Sequence, residues 1–123
     1  MYSNPLDAYK SVEKATVSGR NTEARVLTEA ASKLRACQKR WAQDNGRELL
    51  DEALNYNQRI WTIFQTELAK QDNPLPENIK HDLLRLSAFI DKRIFEVMAF
   101  PAPEKLSVII NINENIAAGL RSN

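Results

Sequence analysis

The chain has one cysteine, one histidine and three glycines in 123 residues, and each shortage closes off a class of chemistry. A lone cysteine, Cys37, can form neither an intrachain disulfide nor a cysteine-rich zinc site, and it suits a reducing compartment. A lone histidine, His81, has no second histidine to share a metal with and no neighbouring nucleophile to activate, so it reads as a solvated surface residue. No stretch approaches ~18 consecutive apolar residues, which excludes a membrane-spanning helix. Met1 to Lys10 lack the basic start and apolar run of a secretory leader. A net charge of +1 gives no strong overall field to draw in nucleic acid or an anionic surface. Glycine-rich phosphate loops, metal boxes and nucleophile elbows are all missing. The expectation is a cytoplasmic protein that is not an enzyme, with no cofactor, small-molecule substrate or membrane insertion.

What is present is enough for a core. With 43% hydrophobic and 27% charged residues, the chain reads as one globular domain over residues 1–123, burying about two thirds of its unfolded surface. Intervals rich in Ala, Leu, Glu, Lys and Arg favour helices. The spacing predicts five. The first opens at Asn4-Pro5 and ends near Ser18-Gly19. The second runs from about Thr22 to Gln43, with Val26, Ala30, Leu34, Cys37 and Trp41 in one stripe. Asn45, with Glu48 three residues on, suggests a capping box for a third helix reaching about Gln71. The turn Asp72 to Pro76 leads to a fourth, ending near Ala99. Pro101 and Pro103 introduce the last, with Leu106, Ile109, Ile110, Ile116, Ala117 and Leu120 on one face. Short connections imply antiparallel neighbours, so the fold class is all-α, an up-and-down antiparallel bundle of about five helices. The fourth helix carries a stripe from Ile79 to Val97 and a second of Leu84, Ala88 and Phe95, which makes it the candidate central element.

Two asparagines interrupt apolar faces. Asn57 lies among Leu50, Ile60, Trp61 and Phe64, and Asn113 among Leu106, Ile109, Ile110 and Ile116. Each costs ~1–3 kcal/mol per group if buried unsatisfied. They are therefore either structural hydrogen bonds that fix register or polar contacts in a groove that receives a client helix. Trp41, Trp61 and Phe64 read as core aromatics, while Tyr2 and Tyr9 stand near the N-terminus, where an aromatic segment can cover a groove. Val108 and Ile112 fall off the main stripe of the last helix, packed on a second neighbour or exposed as a contact site. From Arg20 to Arg47, seven Lys/Arg stand against Glu23, Glu29 and Asp44, a local basic bias. It reads as a solvated face or, alternatively, as a contact for RNA phosphate.

The runs Ala8-Tyr9, Val12 to Thr16, Ser18 to Arg20, Leu49 to Arg59, Trp61 to Gln65, Asp72 to Pro76, Leu86 to Asp91, Arg93 to Met98, Ile112-Asn113 and Asn115 to Leu120 extend along most of the chain. Together they resemble one family, FlaF, the flagellar biosynthesis regulators of alphaproteobacteria. The resemblance implies a regulator of flagellin synthesis working alongside FlbT, the family that acts on flagellin messenger RNA, and needed for flagellin to be made or secreted. The opening, Met1-Tyr2 with Ala8-Tyr9, is also similar to that of the FliS flagellin export chaperones. Flagellin is therefore the expected partner, held by a helix-in-groove contact and coupling synthesis to export. Tyr2, Tyr9, Asn57, Trp61, Phe64, Ile112 and Asn113 are the expected partner-binding residues. The alternative is a translational adaptor acting through FlbT or flagellin messenger RNA on the basic face. Charge reversal at Arg35 and Lys39 is the expected way to separate the two.

Overall fold

A computed structural model describes residues 5–121, with side chains from Asn21 onward. Four α-helices and one 3-10 turn follow in order: α1 (Pro5–Lys39), α2 (Gly46–Ala69), α3 (Glu77–Ala99), a turn (Pro103–Leu106) and α4 (Ser107–Arg121). The all-α class agrees with the sequence, but the count differs, since the two expected N-terminal helices are one. A single internal glycine such as Gly19 costs about 1 kcal/mol relative to alanine, too little to end a helix that packing holds further along.

Antiparallel directions follow from which side chains meet. Tyr56 Oη donates to Glu29 and Lys33 Nζ to Glu52, so α2 runs against α1. Arg35 reaches Glu114, and Arg121 reaches Thr28, so α4 does too. α1 is the hub, with α2 and α4 packed along it, whereas α3 lies on α2 and meets the 3-10 turn. The sequence of α1 permits this, because Ala24, Ala30, Ala31 and Cys37 let neighbours close in around Leu27 and Leu34, all buried.

The expectation that the helix ending at Ala99 is central is therefore corrected. Its buried residues are Ser87, Ile90, Ile94 and Val97, one stripe, while Leu84 and Phe95 of the second stripe face water. An apolar residue count gives no information on how many neighbours a helix finds. Ser87 is fully buried beside α2, where Gln65 Nε2 donates to its Oγ and, at 2.9 Å, to Asp91 Oδ2.

The helix connections have local causes. Asn45 is the N-cap of α2, but its side chain makes no capping bond, so the capping box does not form; its carbonyl accepts from Leu49 N instead. Gly46 is buried where a Cβ would stand 2.8 Å from the Trp41 carbonyl oxygen, so only glycine fits without movement. After α2, Asn73 Nδ2 donates to the Glu67 carbonyl and its Oδ1 accepts from Leu75 N, which closes the turn before Pro76.

Candidate partner-binding site

Asn57 and Asn113 lie at the junction of α1, α2 and α4, both fully buried. Trp61 Nε1 donates to Asn113 Oδ1 at 2.9 Å, and Asn113 Nδ2 donates to Asn57 Oδ1 at 2.6 Å. Asn57 Nδ2 then donates to the carbonyls of Ala53, at 2.8 Å, and Ala30, at 3.2 Å. One chain of hydrogen bonds thus crosses three helices inside an apolar core. It is the arrangement in which a buried amide costs least, and it fixes the register of α4 against α2, because a slip of one residue would leave several polar groups unpaired. In this conformation Asn57 and Asn113 have no surface to offer a partner, and the nearly buried Trp61 ring reaches one only as part of a cleft wall.

Phe64 is different. Its ring packs edge-on against Trp61, with centroids 5.8 Å apart, and is half-buried at the mouth of an apolar cleft. Four elements and the α2–α3 loop build this cleft: Leu27 of α1, Trp61, Phe64 and Leu68 of α2, Leu75 of the loop, Leu83 of α3, and Ile116 and Leu120 of α4. Its volume of about 120 Å³ admits one large apolar side chain, well short of the ~300 Å³ at which small-molecule sites begin. Glu23 and Glu67 stand at the rim, the latter 2.9 Å from Lys70.

Ile112 and Val108, off the main stripe of α4, are both half-buried and pack against the core, with part of each side chain still in water. Tyr2 and the side chain of Tyr9 lie outside the described residues. The structure thus joins Asn57, Trp61 and Asn113 in one buried network and places Phe64 beside it on the cleft. Leu27, Leu68, Leu75, Leu83 and Leu120 were not singled out by sequence reasoning as site residues. The spacing of Trp61, Phe64 and Leu68 carries part of that signal, but a cleft shared by four helices is not written in any one periodicity.

The remaining polar chemistry is structural. The Arg35 guanidinium makes two bonds to Glu114, 2.6 and 3.2 Å. This hydrogen bonding holds the Glu114 carboxyl below the usual carboxylate range and raises Arg35. Burial, and secondarily the charge of Glu52, pushes the Cys37 thiol up, which makes it a poor nucleophile. Among the described residues no three His, Cys, Asp or Glu cluster to hold a metal. No helix among them is long and apolar enough to cross a membrane.

A small all-helical protein with a satisfied polar core and an apolar cleft sized for a single side chain is the class these features define. The chain belongs to the family described as flagellar protein FlaF, whose model matches residues 5–120. Neither a curated protein nor a solved structure matches it.

Proposed function

We propose that this flagellar protein binds flagellin in the cytosol as a secretion-chaperone-like partner and couples its synthesis to export and filament assembly. The observation that supports this most is the apolar cleft of Leu27, Phe64, Leu68, Leu75, Leu83 and Leu120. It is open and apolar, and its size suits one anchor residue of an amphipathic helix laid across the bundle end. Such a contact would keep an aggregation-prone flagellin segment soluble while leaving the three-helix junction beneath it undisturbed.

The reading is tested by co-expressing the chain with flagellin and titrating the purified pair at two salt concentrations. An apolar contact predicts a stable complex with little salt dependence. Phe64→Ala should weaken it about 10-fold or more while retaining most of the helical signal. A chain that binds flagellin no better than a control protein would end the chaperone reading.

The second reading, an adaptor on FlbT or flagellin messenger RNA, draws on exposed Arg25, Lys39 and Arg40 of the basic stretch. Lys33 and Arg35 are already engaged by Glu52 and Glu114. Arg35→Glu would set two carboxylates against each other at the exposed α1–α4 rim, so Lys39→Glu with Arg40→Glu is the cleaner variant. Loss of messenger or FlbT binding in that variant, with flagellin binding intact, would favour the adaptor.

A further inference from the structure

The outer side of α3 carries a second surface, separate from the cleft. Leu84, Ala88, Phe95 and Ala99 recur at helical spacing and all face solvent, with Phe95 74% exposed. Met98, 41% exposed, widens the stripe. Leu83, one residue away from Leu84, turns the other way and lines the cleft. The apolar area left in water by Leu84, Phe95 and Met98 is roughly 300 Å², the size at which a patch on a monomer is commonly functional.

On the open edge of the stripe the nearest charges are basic, with Glu96 and Asp82 farther round the helix. At ~100° per residue, His81, Arg85 and Lys92 fall on the edge turned away from α2. Arg85 and Lys92 are exposed and make neither a hydrogen bond nor an ion pair within the described residues. The opposite edge is closed by α2, through Gln65 on Asp91.

We propose that this stripe docks an amphipathic helix of a partner protein whose apolar face is edged by carboxylates. Its apolar side chains pack on Leu84 and Phe95, and its carboxylates pair with Arg85 and Lys92. The proposal does not depend on the flagellin reading. A second copy of the chain fits less well, because an antiparallel two-fold pair of α3 helices meets edge to same edge and sets Arg85 and Lys92 against their own copies. An anionic membrane or RNA fits less well too. Membrane-binding basic clusters have about 4–8 Lys/Arg. This face has two unpaired cations, with Glu96 and Asp82 alongside.

The test uses a designed helical peptide of about 18 residues with leucines at helical spacing and glutamates along one edge, compared with a twin carrying lysines there. The full chain should bind the glutamate peptide about 10-fold more tightly than its twin. Arg85→Ala with Lys92→Ala should remove that preference, and Phe95→Asp should weaken binding about 10-fold or more without changing the melting curve. The cleft variant Phe64→Ala should bind the peptide normally. Equal affinity for both peptides, or binding to neither, overturns the proposal. So does concentration-dependent dimerisation abolished by Phe95→Asp, or binding of anionic vesicles or RNA that depends on Arg85 and Lys92 and excludes the peptide.

Discussion

The junction of α1, α2 and α4 and the outer face of α3 break the same rule in opposite directions. At the junction, polar amides sit inside an apolar core, and their hydrogen bonds are made. On α3, large apolar side chains sit in water, with Phe95 74% exposed, as is Phe100 just past the helix end. The first arrangement is self-sufficient, since the chain itself supplies every partner the asparagines need. The second is not, and the one buried side-chain polar atom without a hydrogen bond among the described residues, Arg93 Nε, also belongs to α3. The packing of α4 is concentrated on α1, and exposed large apolar side chains are concentrated on α3.

The largest effect should come from breaking the hydrogen bonds of the junction. Asn113→Ala strips Trp61 Nε1 and Asn57 Oδ1 of their partners at once, for a loss of about 3 kcal/mol or more in urea unfolding. Asn57→Leu together with Asn113→Leu should cost less than the sum of the two single leucine changes, because each single change strands the amide that the double change removes. Phe95→Ser should stay within about 0.5 kcal/mol. Equal losses at Asn113 and Phe95 would erase the distinction between the two regions.

Two of the three glycines, Gly46 and Gly119, test the same contrast at smaller scale. At Gly46 an added Cβ meets backbone, 2.8 Å from Trp41 O and 3.1 Å from Arg40 O, so Gly46→Ala should cost about 1–3 kcal/mol. At Gly119 nothing among the described residues outside its own helix lies within 4 Å of an added Cβ, and its φ is not positive, so Gly119→Ala should stabilise by up to about 1 kcal/mol. Thermal melts of the pair should move in opposite directions.

Much of this was legible in the residues. The turns at Asn45-Gly46 and Asp72 to Pro76, and the end of α3 at Ala99, follow from proline, glycine and asparagine chemistry, and the structure places them within a few residues. Asn57 and Asn113 stood out because each interrupts an apolar stripe; pairing them requires knowing that α2 and α4 run side by side on α1, which periodicity does not contain. The same gap explains the misplaced centre. The apolar residues of α3 cover most of its circumference, a pattern that fits a buried helix and equally a peripheral one with a docking face. Only the small residues of α1, Ala24, Ala30, Ala31 and Cys37, pointed to the true hub, and small residues contribute little to a hydrophobic stripe. The cleft was less legible still, being assembled from four helices and a loop.

The smallest expected effect concerns the rim of the α1–α4 contact. Arg35 and Glu114 are both partly exposed, so their pairing is screened and weak at neutral pH, but it leaves a signature in acid. The Glu114 carboxyl titrates below its ordinary range because the folded state hydrogen-bonds its charged form. Its contribution is therefore present above the ordinary glutamate range and is lost as pH falls through the lower, folded-state value, where both states become protonated. Glu114→Gln should remove that part of the acid-side slope of stability against pH and leave the neutral plateau nearly unchanged, measured by urea unfolding from neutral pH into the acid range. An equally steep acid slope in the variant would assign it to other carboxylates. A marked drop at neutral pH would mean that the ion pair helps hold α4 on α1, a role the buried asparagines fill in the present account.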